Sequence, residues 1–272
     1  MNIAYSGIKG AYAQIAASRI FPNEKIVSYK SFYGAYEAVV KKECDYCILP
    51  IENSYAGDVS QVLDLLYFGE LSIVGVYEMR IVHYLLGNSG CVRENVTKVI
   101  SHPQALDQCN KYINKMHFES EVVSNTAFAA REVALSNNDT FAAIASRETA
   151  KLYNLKIVDE DIGDSDDNTT RFAVIASASS EMFNKGQAFS IVFTVANEAG
   201  SLAKAISIIG DRGFNMKSIR SRPSKKVPWN YYFYVEAEGD ISTEHGKLMM
   251  KELDMCCNNV RIIGNYTEDI II

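Results

Sequence analysis

The chain has 272 residues, 48% of them hydrophobic and 22% charged, and its 27 Lys and Arg against 33 Asp and Glu give a net charge of −6. These proportions are typical of folded globular proteins and exclude disordered, collagen-like and coiled-coil chains. The negative charge has the wrong sign for a surface that neutralises phosphates, so no nucleic acid partner is expected.

No apolar stretch approaches the roughly 18 residues that a membrane span needs, since the longest, residues 189–196, has the length of a strand. Residues 1–7 contain neither the basic region nor the sustained apolar region of a secretory signal. We therefore expect a cytoplasmic protein without a membrane partner. The cysteine spacing matches no disulfide framework, so reduced thiols are expected.

Residues 2 to about 176 alternate short β-rich runs with segments of helical period, which predicts an α/β domain. Hydrophobic residues recur at i, i+3, i+4 and i+7 in residues 32–40 and 59–67, which predicts two helices that each bury one face. The predicted strands are 3–5, 25–29, 46–50, 71–77, 80–86, 97–100, 121–123, 141–144, 156–158 and 171–175.

Residues 177–187 are small, polar and without periodicity, and they predict a linker. The pattern after it predicts a strand over 189–195, a helix that ends before Gly213, two more strands, a second helix and a last strand. The order β-α-β-β-α-β in about 80 residues is ferredoxin-like. We therefore predict a large domain over 1–176 and a small one over 188–272.

In the first domain, small polar residues stand where predicted strands give way to helices. Capping of the following helix explains each of them singly. Together, however, helix N-termini at the carboxyl edge of a sheet favour an anion, which predicts a small carboxylate or phosphate as substrate. The segments are Gly7-Ile8-Lys9-Gly10, Asn53-Ser54, Ser101-His102-Pro103, Asn125-Thr126 and Ser146.

Several kinds of site lack their sequence signature. Neither a dinucleotide fingerprint nor a P-loop occurs, which disfavours a nucleotide cofactor. Cys44 and Cys47 have no second pair with zinc-site spacing, and the acidic loop 161–167 lacks the calcium-loop pattern, so no metal is expected. Of the four histidines, only His102 stands at a strand-to-helix junction, whereas His83 lies in an apolar run that is typical of a core position.

The segment Thr169-Thr170-Arg171 places two hydroxyl groups beside a guanidinium group, which can hold a carboxylate in bidentate fashion. The alternative is a strand whose Thr and Arg side chains are simply solvated.

Three segments, in this order, resemble the motifs of the prephenate dehydratase family: Pro50-Ile51-Glu52-Asn53-Ser54, Ser101-His102-Pro103-Gln104-Ala105-Leu106 and Thr170-Arg171-Phe172. Residues 7–12 are similar to the family's first glycine motif, and 125–127 to its small Thr-Ala segment. In the second domain, residues 197–202 and 221–224 are similar to two signatures of ACT regulatory domains. Two positions depart from the pattern: Arg220 stands where the family usually has Glu, and Ala13 stands where Ser is common.

The resemblance implies an α/β fold with a two-lobed, periplasmic-binding-protein-like (type 2) catalytic domain, followed by a ferredoxin-like ACT domain. One lobe would comprise about 1–77 plus 156–176 and the other about 78–155, with the active site in the cleft. The implied reaction is the decarboxylative dehydration of prephenate to phenylpyruvate in L-phenylalanine biosynthesis. Because it creates an aromatic ring, this reaction needs no metal, redox cofactor or covalent nucleophile.

The resemblance also implies roles for residues. Thr170 would hydrogen-bond the departing hydroxyl group, and Glu52 and His102 are the candidate proton donors. Substrate binding is expected from Asn53, Ser54, Ser101, Gln104, Thr126, Arg171 and Phe172. Phenylalanine is expected as an effector at a dimer interface of the ACT domain, bound by Asn197, Ala199, Gly200, Ser201, Leu202, Asn215, Met216, Ser221, Arg222 and Pro223. A homodimer or homotetramer through both domains is expected.

Three other functions stay open. Arogenate dehydratase has the same mechanism on a substrate with an amino group in its side chain. A non-catalytic solute-binding or sensory module would need no positioned hydroxyl, so Thr170, Glu52 and His102 speak against it. A related decarboxylase that retains the ring hydroxyl is disfavoured by the intact Thr170.

Overall fold

The computed structural model describes residues 1–177, 186–225, 228–267 and 270–272. The chain divides into two compact units. The first unit comprises Met1–Val59, Glu78–Phe172 and Ile272, and the second comprises Ser60–Tyr77 and Ala173–Ile271. Within the described ranges, no helix is both long enough and apolar enough to span a membrane.

The elements are numbered in chain order. The strands are β1 Asn2–Ser6, β2 Lys25–Tyr29, β3 Tyr46–Asn53, β4 Gly57–Asp58, β5 Ser72–Arg80, β6 Tyr84–Gly87, β7 Lys98–Ser101, β8 Glu119–Val122, β9 Phe141–Ala145, β10 Lys156–Asp159, β11 Thr169–Ala176, β12 Ala188–Thr194, β13 Met216–Pro223, β14 Tyr231–Glu238, β15 Asn258–Tyr266 and β16 Ile270–Ile271. The helices are α1 Tyr12–Ile20, α2 Phe32–Val40, α3 Ser60–Phe68, α4 Pro103–Gln108, α5 Asn110–Met116, α6 Thr126–Ser136, α7 Arg147–Tyr153, α8 Ser201–Asp211 and α9 Glu244–Cys256, with a 3₁₀ turn at Arg93–Asn95.

The first unit contains two sheets. In one, β1 pairs in parallel with β2 and β3, and the start of β11 lies beside β3. In the other, the order is β10-β6-β9-β7-β8, with β7 parallel to β8 and β9. The middle strands β1 and β3 are mainly buried and apolar, as expected for parallel strands covered by helices. The predicted α/β class is confirmed.

Most predicted helix starts are confirmed. Asn125 and Ser146 cap α6 and α7, because each side chain accepts the main-chain N–H group three residues further on. His102 caps α4, and Pro103 occupies the first position of that helix, where its missing N–H group has no cost. After α8, Gly213 adopts a φ of 83°, the left-handed conformation that the sequence predicts for it.

Two predicted caps are wrong. Asn53 ends β3 without starting a helix, because its Oδ1 atom accepts the N–H groups of Tyr55 and Ala56 and turns the chain into β4. Ser101 is the last residue of β7, and its fully buried hydroxyl donates to the carbonyl oxygen of Ile144 at 2.6 Å. Strand pairing therefore takes precedence over capping at both positions.

The predicted strand boundary between residues 77 and 80 is also wrong. β5 continues through Arg80, and the break falls at residues 81–83. Main-chain groups of these three residues bond with Asn168, the Tyr12 hydroxyl and Ile162. Because loops and a side chain satisfy these groups, residues 81–83 form no strand ladder.

The second unit contains the predicted β-α-β-β-α-β order as β12-α8-β13-β14-α9-β15, and its strands β13-β14-β12-β15 are antiparallel neighbours. The ferredoxin-like prediction is confirmed. The same unit also includes α3 and most of β5, whose Ile73 pairs with Gly264 of β15. The domain bounds stay a prediction, and residues 178–185 of the predicted linker lie outside the described residues.

Asp64 of α3 binds three side chains from the C-terminal part of this unit. Its carboxylate, 11% exposed, accepts two hydrogen bonds from Arg222 at 2.8 and 3.1 Å. Lys225 Nζ and the Tyr232 hydroxyl donate to it at 2.6 and 2.8 Å. Burial alone would raise the pKa of Asp64, but these hydrogen bonds outweigh burial and lower the pKa to about 2.

The rest of α3 is held to the same part of the chain. The guanidinium group of Arg261 donates to the carbonyl oxygens of Leu66, Tyr67 and Gly69 at the helix C-terminus, where free carbonyls and the helix dipole favour a cation. The ring of Tyr67 stacks on Tyr232 with centroids 3.8 Å apart. We call the contacts of Asp64, Tyr67 and Arg261 the α3 clamp.

Asp64→Asn should lower the free energy of unfolding at pH 7 by about 2–4 kcal/mol, because Arg222 and Lys225 lose the anion that they share. The folded-state pKa lies below the ordinary value of about 3.9, so the stabilisation is complete above about pH 4 and is lost as the pH falls towards 2. Urea unfolding of the variant and the wild type across this range measures the difference.

Asp254→Asn, at an exposed position of α9, is the matched control and should change stability by less than about 0.5 kcal/mol. A gap between wild type and Asp64→Asn that stays constant down to pH 2 would contradict this account.

Candidate active site

The amide of Asn53 has one possible orientation. The side chain is 5% exposed, and its Oδ1 atom accepts the N–H groups of Tyr55 and Ala56 at 3.1 and 2.9 Å. A main-chain N–H group can only donate, so the atom that faces these two groups must be the oxygen. The Nδ2 atom therefore faces β11.

The Nδ2 group of Asn53 donates to the Thr170 Oγ1 atom at 3.0 Å. The same group lies within hydrogen-bond distance of Asn168 Oδ1 at 2.9 Å and of the Thr169 carbonyl oxygen at 3.1 Å. Thr170 is buried, and its hydroxyl oxygen is the acceptor in this contact. The hydroxyl proton of Thr170 is therefore left for a different acceptor.

Helix α4 contributes two further amides to this cluster. The Nε2 atoms of Gln104 and Gln108 lie 3.2 and 3.3 Å from Asn53 Oδ1, and both donate to it. The two glutamines are four residues apart, so they share one face of the helix. Asn53 and Thr170 belong to one sheet of the first unit, whereas α4 follows a strand of the other. The cluster thus joins the two sheets.

His102 adjoins the cluster through Gln104. Its Nδ1 atom accepts the Gln104 N–H group at 3.2 Å, which places the ring proton on Nε2. Burial lowers the pKa of His102 below the usual value for histidine, so the free imidazole is neutral at pH 7. Ser54 bonds to the segment that leads into β11: its hydroxyl donates to the Asp167 carbonyl oxygen and accepts from the Thr169 N–H group, both at 2.9 Å.

Glu52 and Arg171 form a separate pair. Arg171 Nη1 donates to Glu52 Oε2 at 3.1 Å, and Arg171 Nε lies 3.9 Å from Glu78 Oε1. Successive residues of a strand point to opposite faces. Glu52 and Arg171 therefore lie on the opposite strand faces from their chain neighbours Asn53 and Thr170. The guanidinium and hydroxyl groups, which the sequence placed together, are separated by this alternation.

The remaining predicted binding residues are engaged elsewhere. Ser101 is fully buried and bonded to Ile144, so binding a substrate would require its hydroxyl group to leave that carbonyl. Phe172 is 2% exposed, and Thr126 is buried at the first position of α6. Their proposed roles stay predictions.

Sequence reasoning missed Gln108, whereas His83 is buried, as its apolar run predicts. The i, i+4 spacing of Gln104 and Gln108 was a usable signal, because it places both amides on one helical face. The Nε2 atom of His83 lies 2.8 Å from Gln108 Oε1, a contact between residues 25 positions apart that no local pattern indicates. Within the described ranges, no group of three or more His, Cys, Asp and Glu side chains could hold a metal ion.

The predicted effector residues all lie in the second unit. Gly200 caps α8 with a φ of 86°, Asn215 Nδ2 donates to Glu238 Oε2 at 3.0 Å, and Arg222 is held by Asp64. Of the predicted set, Asn197 borders a cavity of about 290 Å³. The cavity is lined by Tyr67, Thr194, Val195, Ala196, Asn197, Ser224, Asn230, Tyr231, Asn258 and Asn259.

Comparison with known families gives two matches. Residues 3–180 match the model of the family described as prephenate dehydratase, and residues 189–247 match the model of the ACT domain. The chain is 36% identical over 283 residues to arogenate dehydratase/prephenate dehydratase 2, chloroplastic, of Arabidopsis thaliana, an alignment that covers 99% of this chain and 73% of the relative.

Two solved structures share the fold. A protein described as GqqA, a novel type of quorum quenching acylase, superposes with a TM-score of 0.90 at 27% identity, covering 99% of this chain and 98% of the other. Prephenate dehydratase from Arthrobacter aurescens in complex with L-Phe superposes with a TM-score of 0.90 at 24% identity, covering 98% of this chain and 90% of the other. At the latter identity, the likeness concerns the fold alone.

Asn53→Asp should destabilise the fold by about 1–3 kcal/mol at pH 7.5, because the new carboxylate would face two acceptors, Asn168 Oδ1 and the Thr169 carbonyl oxygen. The loss comes from the donor to Thr170 and from these two acceptors. Urea unfolding of the variant and the wild type at pH 7.5 measures it.

Asn23→Asp, in an exposed turn between α1 and β2, serves as the control and should change stability by less than about 0.5 kcal/mol. An Asn53→Asp variant as stable as the wild type would show that the amide orientation is wrong.

Proposed function

The chain belongs to the prephenate dehydratase family, and we propose that it converts prephenate into phenylpyruvate in phenylalanine biosynthesis. The reaction consumes the prephenate dianion and one proton, and it yields phenylpyruvate, carbon dioxide and water. The electron pair of the broken carbon–carbon bond enters the ring, and the ring hydroxyl group leaves as water. The protein must therefore hold two carboxylates and supply one proton to the leaving oxygen.

The hydrogen-bond direction at Thr170 carries this proposal. Because the Thr170 oxygen accepts from the Asn53 amide, its proton is available to the hydroxyl group of the substrate, which becomes a better leaving group when it is hydrogen-bonded.

A threonine hydroxyl group is a weak acid, so we assign Thr170 to relaying or polarising and a second group to supplying the proton. His102 is favoured because it adjoins the cluster through Gln104 and carries its proton on Nε2. The negative charge of a bound dianion would raise its pKa and favour the cation. Glu52 is the weaker candidate, since it is paired with Arg171 away from Thr170.

For substrate binding, the amides of Asn53 and Gln104 and the hydroxyl group of Ser54 supply polar contacts around Thr170. Arg171 stays a predicted carboxylate ligand, but it pairs with Glu52 on the opposite strand face from Thr170, so it can reach a substrate held at Thr170 only by exchanging Glu52 for that substrate. Such an exchange replaces one carboxylate by another and leaves the charge of the guanidinium group balanced. Arogenate is the alternative substrate, because it carries the same ring hydroxyl and ring carboxylate and the relative from Arabidopsis bears both names.

We propose phenylalanine as the effector of the ACT segment, supported by the match over residues 189–247 and by the L-Phe complex of the Arthrobacter protein. As the end product it would inhibit. Arg220, which replaces the family's usual Glu, lies over the ring of Tyr234 and contacts Ser218. A homodimer or homotetramer and a cytoplasmic location stay predictions.

The purified wild type should convert prephenate into phenylpyruvate, and Thr170→Ala should lower kcat by about 10²–10⁴ because it removes the hydroxyl group at the leaving oxygen. Thr170→Ser should retain much of the activity. Product absorbance measures turnover of prephenate, and a parallel assay with arogenate follows phenylalanine. A folded Thr170→Ala variant with wild-type kcat would overturn the role of Thr170, and a wild type inactive on both substrates would overturn the function.

Phenylalanine should lower the initial rate of the wild type and bind with measurable heat, whereas tyrosine at the same concentration should do so less. Phenylalanine regulates the enzyme only if its affinity differs between the active and inactive states. No change in rate together with no heat of binding would reduce the ACT segment to an assembly module.

A further inference from the structure

We propose that His83 is a positioning residue for the reaction, because it holds Gln108 in the orientation in which Gln108 donates to Asn53, the residue that donates to Thr170. This inference rests on the proposed function, since it gives Thr170 the role described above. His83 lies in the break between β5 and β6 and is 2% exposed. Sequence alone indicates a core histidine there.

The backbone around His83 is anchored on both sides. The Ile162 N–H group donates to the His83 carbonyl oxygen at 3.0 Å, and the Tyr12 hydroxyl donates to the carbonyl oxygen of Val82 at 2.9 Å. The ring itself meets the Tyr12 ring edge-on, with centroids 6.1 Å apart. The imidazole therefore has a defined place in the interior of the first unit.

The direction of the hydrogen bonds follows from the main chain. Asn53 Oδ1 is identified as oxygen by the two N–H groups that it accepts, so the Gln108 atom 3.3 Å from it is Nε2. Gln108 Oε1 then faces His83 Nε2 at 2.8 Å, and only a protonated Nε2 can donate to it. His83 must be the Nε2–H tautomer.

The ring of His83 carries a single proton. Burial lowers the pKa of His83, although the hydrogen bond to Gln108 acts in the opposite direction, so the ring is neutral at pH 7. The Tyr12 hydroxyl lies 3.4 Å from Nδ1 but donates its own proton to the Val82 carbonyl oxygen, so the contact with Gln108 is the one that assigns the tautomer.

A continuous set of donors thus runs from His83 through Gln108 and Asn53 to Thr170. At each step an N–H group donates toward the next residue, and the hydroxyl proton of Thr170 is left for the substrate of the proposed reaction. Without a donor at position 83, Gln108 Oε1 would be buried without a partner, and the amide could rotate and place its oxygen against Asn53 Oδ1. The loss would affect the positioning of Thr170 rather than substrate affinity.

Two variants with side chains of equal length distinguish hydrogen-bond donation to Gln108 from packing alone. In His83→Gln, the amide nitrogen stands as many bonds from Cβ as Nε2 does in histidine, so the donor is kept. In His83→Met, the side chain has the same length without a donor. We expect kcat to fall at least about tenfold in His83→Met with KM within about twofold, and to stay within about threefold of the wild type in His83→Gln.

His245→Met, at an exposed histidine of α9, is the control and should leave kcat unchanged. Unchanged kcat in His83→Met, or an equal loss in His83→Gln and His83→Met when both are folded, would overturn the proposal. Nitrogen-15 NMR spectra of histidine-labelled wild type report which ring nitrogen of His83 carries the proton. This measurement needs neither a folded variant nor a substrate. A protonated Nε2 in His83 is expected, and a protonated Nδ1 would overturn the proposal even if the enzyme turns over prephenate.

Discussion

The acceptance of two main-chain N–H groups by one side-chain oxygen, Asn53 Oδ1, determines the chemistry of the candidate site. A main-chain N–H group can only donate, so the Asn53 amide cannot exchange its oxygen and nitrogen positions. Groups that face its oxygen must therefore donate, and groups that face its nitrogen must accept. Thr170 becomes an acceptor toward Asn53 and keeps its own proton for another acceptor, while Gln104 and Gln108 become donors. A turn at the end of β3 thus sets the direction of hydrogen bonding in residues that lie far apart in the sequence.

The second consequence concerns charge. The net charge of −6 gives the protein no general attraction for a dianion, so the attraction must be local. The hydrogen-bonded cluster around Asn53 is made of neutral groups, and the guanidinium group of Arg171 is already paired with Glu52. The substrate would then be selected by neutral hydrogen-bond donors and by replacement of Glu52 at Arg171, and not by a positive field. Such a site favours ligands with several acceptors at defined positions over anions in general.

Much of the fold could be predicted from the sequence, because strand and helix periodicity and Pro or Asn caps are local signals: α2, α3, α6 and the β-α-β-β-α-β order are examples. The motifs also indicated Asn53, Gln104 and Thr170. Most failures were non-local. Ser101 bonds with Ile144 instead of capping a helix, the alternation along β3 and β11 separates Arg171 from Thr170, and His83 meets Gln108 only through the fold. A single sequence records residue types, and these contacts depend on which strands become neighbours.

The α3 clamp constrains when this protein can complete its folding during synthesis. Arg222 follows Asp64 by 158 residues, and Arg261 follows Leu66 by 195. Synthesis proceeds from the N-terminus, so α3 leaves the ribosome long before its partners exist, and contacts so distant in the chain form slowly. The second unit can therefore be completed only near the end of translation. A chain stopped before residue 222 would leave Asp64 without its cations, so the protein acquires its final stability only when its regulatory segment has been made.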